Sequence, residues 1–364
     1  MMYITNHQLL TLIVLFEIGS STLFSLGIDA KQDAWIVVGI SMLVGCVLFW
    51  IYTGLQKYFP QKNFIEIIIE LLGKFLGMPL AFLYSLFFLY CSTRNLRDFG
   101  ELMKMTFLHE TPMTIIHIIF MFTGCYILFL GLETFARTSE LMFPIALSFI
   151  LSIPILVSTS AKIHISELLP VLDNGIKPVL KAAYPNTVNF PFGEAFVFFM
   201  YWCNVNSKKD ICKTSILALS ISGLLLMIST IFIICTLGVE IASIVTVPIL
   251  NVIRLINVED FLTNLDPIAV VIMFLGGFYK SIIFFYAGVS GFTSLFRLKD
   301  MRLLIIPCAI FVIWLSIVFA PSYAYHIWQG HTVSLPYIHN TFQVIIPPLL
   351  LIICWLKNKG NKTK

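Results

Sequence analysis

Long apolar runs separated by short polar connections recur from one end of this chain to the other. Ten of them are long enough to cross a bilayer: Leu9–Leu26, Ala34–Leu55, Met78–Leu108, Met113–Leu132, Arg137–Val157, Pro178–Asn204, Thr214–Leu237, Asp266–Leu295, Leu303–Ala320 and Ile338–Leu356. One intervening segment has a different pattern. In Asn63–Leu76, Glu66, Glu70 and Lys74 recur every fourth residue on an otherwise apolar stretch, which predicts a helix lying along the membrane surface. Toward the other side, Ser166–Ala183 and Val247–Leu262 predict short surface helices, the second carrying Arg254, Glu259 and Asp260.

Two runs are interrupted. The first contains Glu17-Ile-Gly-Ser-Ser-Thr22, a carboxylate, a glycine and three hydroxyls at mid-span. Glycine is a weak helix former, hydroxyls compete for backbone partners, and a carboxylate at bilayer depth costs at least about 2.5 kcal/mol. The sixth contains Pro185, Pro191 and Gly193 within nine residues, which a regular helix cannot accommodate. Either its first part is an outer loop and the span starts near Phe190, or the helix is discontinuous, its second half starting near Gly193-Glu194 with amides aimed at the midplane. Spans one and six open successive groups of five, and an odd number of crossings inverts the second group relative to the first. Paired interruptions in inverted halves, about 1–158 and 178–356, predict a transporter-type central site.

Composition agrees with a single integral membrane domain over 1–364: 59% of residues are hydrophobic, 12% are charged, and there is no stretch for a soluble or nucleic-acid-binding domain. The first run is a poor signal peptide, lacking a basic start and carrying Glu17 at its centre. With the N-terminus inside, the inner connections hold fourteen Lys and Arg and the outer ones five, so both termini are expected to be cytoplasmic, with a basic tail at 357–364. The eight Cys show no CxxC spacing and the seven His no ligand spacing; both sets read as packing or surface residues, without metal or cofactor. No nucleophile–base constellation or phosphate loop suggests an enzyme.

The candidate site draws on both interruptions. Gly19, Ser20, Ser21 and Thr22 would offer backbone groups and hydroxyls to a small polar ligand, and Asn189, Phe192, Gly193 and Glu194 would face them. Glu17 either pairs with a buried cation, carries a proton or meets a ligand amine. Lys280 either neutralises Glu17 or Glu194, or takes the place of a coupling cation. In span three, Arg94/Asp98 and Arg97/Glu101 are spaced for i,i+4 pairs. They would form a salt-bridge network, with Arg94 alternatively a ligand or gate residue.

Phe16–Leu23 and Ala30–Ile36; Arg94–Glu101 with Glu110-Thr-Pro112; Gly131–Arg137 before Glu140 and Pro144; Leu168–Pro178; Phe190–Glu194; and Asp266 before Gly277–Lys280 run in order across nearly the whole chain. The resemblance they carry is to the B-subunit, permease-like family of bacterial spore germinant receptors, within the amino acid–polyamine–organocation (APC) superfamily. It implies an all-α, ten-helix LeuT/APC-like fold with a 5+5 inverted repeat, residence in the spore inner membrane, a complex with a larger A subunit and a C-subunit lipoprotein, and sensing of a small nutrient such as an amino acid, sugar or nucleoside. A proton- or cation-coupled amino-acid transporter is the alternative.

Overall fold

The apolar runs become helices, and the departures from regularity fall at the interruptions. The computed structural model describes residues 3–160, 163–255 and 266–362. Among these the chain is helical, with an isolated bridge between Ile4 and Val205 in place of any strand.

Span one begins as α1 (Asn6–Ile18). Thr5 caps it: its hydroxyl accepts from the Gln8 amide at 3.1 Å, and the Gln8 side chain accepts from the Thr5 amide at 3.0 Å. Leu12 through Ile18 are all buried, so α1 is an interior helix, as its lack of a polar face requires. It stops at Gly19, and Ser20–Leu23 continue as one tight 3-10 turn.

The next elements are α2 (Ala34–Tyr58) and α3 (Phe64–Thr106). The striped segment is the first part of α3. Ile65, Ile67, Ile68 and Leu71 face the core while Glu66, Glu70 and Lys74 face outward. Gly73, at φ 73°, then turns the chain into the crossing part, a conformation in which a side chain would be strained. The first five spans end with α4 (Met113–Leu130) and α5 (Leu132–Ser160).

After a tight turn at Ile165–Leu168 comes the short α6 (Ile176–Ala182). Past α6, which covers the start of span six, the span contains no regular α-helix. Ala183–Gly193 winds in wide π-type turns interrupted by extended backbone at Tyr184 and Phe190, and Glu194–Met200 tightens to 3-10 geometry. The expected discontinuity is present and extends along the span. There follow α7 (Ile211–Ile244), α8 (Pro248–Arg254), α9 (Asp266–Phe296), α10 (Arg302–Val318) and α11 (Tyr323–Gln329); a wide-turned stretch, Gly330–Ile345, then leads into α12 (Ile346–Lys362). Of the expected helix Val247–Leu262, α8 is the described part; Glu259 and Asp260 lie outside the described residues.

Six helical stretches among the described residues are long and apolar enough to cross a membrane. Spans one and six are not among them because they are broken, and α10 in span nine is a shorter apolar helix of 17 residues.

The centre is built on α9, which runs against α3 and α1. Small residues bring the backbones close. A Cβ on Gly276 would lie 2.4 Å from the Gly19 Cα, one on Gly288 2.5 Å from Leu89, and one on Gly291 2.5 Å from the Ser85 hydroxyl. The ends of the two broken spans are also tied together: the Ile4 amide donates to the Asn204 carbonyl at 2.8 Å and the Asn206 amide to the Ile4 carbonyl at 3.0 Å.

Candidate functional site

The two interruptions meet at Lys280. Its ammonium comes from α9, is fully buried, and lies 2.7 Å from Glu194 Oε2 at the break of span six. It approaches the Ser21 hydroxyl of span one at 3.5 Å. The Phe190 and Phe16 rings flank it, with centroids 4.2 and 5.2 Å away. The Phe190 contact exists because its extended backbone swings the ring out of the helix path. Aromatic faces and a carboxylate together offset the loss of hydration that burying an ammonium entails.

Span ten completes the arrangement. Glu194 Oε1 faces His339 Nδ1 at 3.6 Å, and the Gln343 amide nitrogen is 3.1 Å from the same ring nitrogen. His339 and Gln343 are both buried, and they lie one above the other in the wide-turned stretch. The Tyr52 hydroxyl donates to the Gln343 carbonyl at 2.6 Å and the Tyr84 hydroxyl to the Phe342 carbonyl at 2.8 Å, fixing this stretch against α2 and α3. Cys91 Sγ, a Glu194 oxygen and a His339 nitrogen lie within 4.8 Å of one another. Sulfur, oxygen and imidazole are a zinc-type donor set, but Lys280 already supplies the positive charge at this carboxylate.

The other expected site residues divide. Ser20 donates to Asn95 Oδ1 at 3.2 Å, joining the break to α3, and the Thr22 hydroxyl closes back on the Gly19 carbonyl at 3.2 Å. Asn189 donates to the Leu335 carbonyl at 2.8 Å. A Cβ on Gly193 would lie 2.8 Å from Gln343 Oε1, so the missing side chain makes room for span ten. Phe192 is buried against Gly45 of α2. Gly19 faces the backbone of Gly276: its own Cβ would lie 2.6 Å from the Gly276 carbonyl oxygen. Its place in the structure is a close helix crossing.

Arg94 does not join the cluster. It donates to Gln329 Oε1 and, at 3.1 Å, to the His326 carbonyl of α11. Of the two ion pairs the spacing suggested, Arg97–Glu101 forms at 2.7 Å, while Asp98 Oδ1 faces His326 Nε2 at 3.1 Å instead of Arg94. Arg97 also donates to the Ser316 carbonyl at 3.1 Å, so these charges fasten α3 to α10 and α11.

Glu17 is buried, and neither of its carboxylate oxygens has a hydrogen-bond partner among the described residues. Asn189 Oδ1, Gln343 Oε1 and His339 Nε2 are likewise buried and unpartnered. The region where spans one, six and ten converge therefore holds unused hydrogen-bonding capacity, most of it acceptor.

Sequence reasoning missed His339, Gln343, Cys91 and Asn95. The signal for the first two was their i,i+4 spacing at the start of an apolar run.

The fold matches a solved transporter: Mhp1, a nucleobase-cation-symport-1 family protein in a closed conformation with bromovinylhydantoin bound, superimposes with a TM-score of 0.63 at 13% identity, over 96% of this chain and 89% of that one. The likeness establishes an all-α transporter architecture of the LeuT/APC type with broken first and sixth spans. Residues 3–324 match the family model described as Spore germination protein. Spore germination protein KB of Bacillus subtilis (strain 168) is 36% identical over 99% of this chain and 97% of its own length. Spore germination protein YndE of the same organism is 26% identical over 91% and 90%, and spore germination protein XB of Bacillus anthracis 23% over 90% and 90%. This chain therefore belongs to the spore germination permease family, the integral membrane B subunits of germinant receptors.

Proposed function

We propose that this subunit binds one small polar nutrient, of the amino-acid, sugar or nucleoside class, where spans one, six and ten converge on Lys280, and that occupancy is passed to a larger A subunit and a lipoprotein C subunit in the spore inner membrane, both termini of this chain being cytoplasmic. The observation that carries the reading is the buried Lys280–Glu194 pair at the meeting of two broken spans, beside unpartnered acceptors on Glu17, Asn189 and Gln343. A ligand bearing hydroxyls or an ammonium would satisfy those acceptors. Lys280, Glu194 and Glu17 are all sealed from solvent, so entry requires span one or span six to move against the α3–α9 scaffold. A ligand that binds the rearranged form more tightly shifts the population toward it, and that shift is the signal.

A second reading, a proton- or cation-coupled amino-acid transporter, is favoured by one observation: the carboxylate of Glu17, without a hydrogen-bond partner among the described residues and within electrostatic reach of the Lys280 ammonium, an arrangement suited to carrying a proton or cation.

A paired experiment separates the two. Proteoliposomes are tested for accumulation of labelled nutrients under a proton gradient, and spores lacking the subunit for nutrient-triggered germination. The receptor reading expects no concentrative uptake and a germination defect. Accumulation together with normal germination of the deletion strain contradicts it.

A further inference from the structure

A second feature lies where the end of α2 meets the start of α7. Lys57 at the end of α2 and Lys208 and Lys209 before α7 line one cleft of about 290 Å³. Nearby Lys62 is paired with Glu70, but among the described residues none of the three cleft lysines has a carboxylate partner. Lys208 is held in place, donating to the Trp202 and Cys203 carbonyls at 2.8 and 2.6 Å, with one N–H left over. The adjacent Asp210 accepts from the Ser207 hydroxyl at 2.9 Å. The first turn of the 34-residue α7 opens into the same cleft through Ile211 and Cys212, and no side chain caps it. Three ammonium groups and the positive end of a helix make the cleft an anion site.

The cleft does not stand alone. Lys57 also borders a groove of about 570 Å³ between α2 and α12, whose other walls are Gly54, Tyr58, Leu351, Ile352 and Trp355. Tyr58, Ile352 and Trp355 are exposed there. An apolar groove with interfacial aromatics, leading directly to an anion cleft, has the shape of one molecule that is acidic at one end and hydrocarbon along its length.

We propose that this paired cleft and groove bind a single anionic phospholipid, its phosphate among Lys57, Lys208 and Lys209 and an acyl chain along α2 and α12. The site joins α2 to the loop that follows broken span six.

Native mass spectrometry and thermal shift of the purified full chain test this with phosphatidylglycerol, phosphatidylcholine of the same acyl chains, and inorganic phosphate. The wild type is expected to retain and be stabilised by phosphatidylglycerol in preference to phosphatidylcholine, with no comparable effect of phosphate. Lys57→Gln/Lys209→Gln, which removes two exposed lysines outside the central cluster, should weaken the preference about fivefold per lysine. Lys74→Gln/Lys299→Gln, an equal charge change elsewhere, should leave it intact. Trp355→Ala should weaken both lipids alike. An unchanged phosphatidylglycerol preference in the first pair, an equal loss in the control pair, or equal stabilisation by inorganic phosphate would each overturn the proposal.

Discussion

The two broken spans reach the same place by different chemistry. The break in span one is a matter of backbone: α1 stops at Gly19, which lies against Gly276 without room for a side chain, and the following hydroxyls are used locally, Ser20 on Asn95 and Thr22 on the Gly19 carbonyl. The break in span six is a matter of charge and ring placement: Phe190 turns extended, its ring meets Lys280, and Glu194 binds the same ammonium. The first break sets how closely two helices cross. The second supplies the electrostatics. Interruptions that look alike in a sequence thus divide the work between a rigid contact and a charged one.

The largest effect is expected on the charged side. Lys280→Met leaves Glu194 buried without its cation, and losing one partner of a buried pair costs about 3–5 kcal/mol. The variant should lose most of its folded protein, measured by monodisperse yield and melting temperature in detergent, and adding Glu194→Gln should recover most of the loss. Failure of the second substitution to rescue would show that the pair is not the electrostatic unit described.

Next comes the rigid contact. Gly19→Ala places a methyl group 2.6 Å from a backbone oxygen, and such overpacking typically costs about 1–3 kcal/mol. A lower melting temperature is expected, with Gly276→Ala behaving alike. An unshifted melting temperature for Gly19→Ala would put the two helices further apart than 2.6 Å allows.

The hydroxyl of span one should matter less. Ser20→Ala removes one hydrogen bond to Asn95, an effect of about 0.5–1.5 kcal/mol that a thermal-shift comparison with Asn95→Ala and the double variant resolves. Additive losses would mean the two side chains are uncoupled.

The smallest stability effect belongs to Glu17→Gln, because among the described residues Glu17 has no hydrogen-bond partner to lose. Near-wild-type melting is expected. In proteoliposomes, the transporter reading requires this variant to lose proton-driven uptake, so uptake that persists unchanged would remove Glu17 from any coupling role.

Much of the fold was legible in the sequence for simple reasons. Apolar runs cannot be anything but helices in a bilayer, the Glu66–Glu70–Lys74 stripe marked the surface segment, and prolines and glycines marked the breaks. The pairing of charges was not legible. Lys280 had two carboxylates to choose from, Glu17 and Glu194, and only the rotation of α9 about its axis decides for Glu194. His339 contacts a residue 145 positions away in the chain, and in the sequence it resembled the other histidines near polar connections. Arg94 and Asp98 had helical spacing for each other, yet α11 offers both of them better partners. Local spacing identifies which pairs are possible, and tertiary packing selects among them.

The nutrient dose–response of spores carrying Lys280→Met/Glu194→Gln tests the proposed site most directly. The pair of substitutions removes both charges together and so keeps the interior neutral. The account predicts receptor subunits at wild-type abundance in the spore membrane and a lost or strongly right-shifted germination response. A wild-type dose–response at wild-type abundance would contradict it and move nutrient recognition away from the meeting point of the two broken spans.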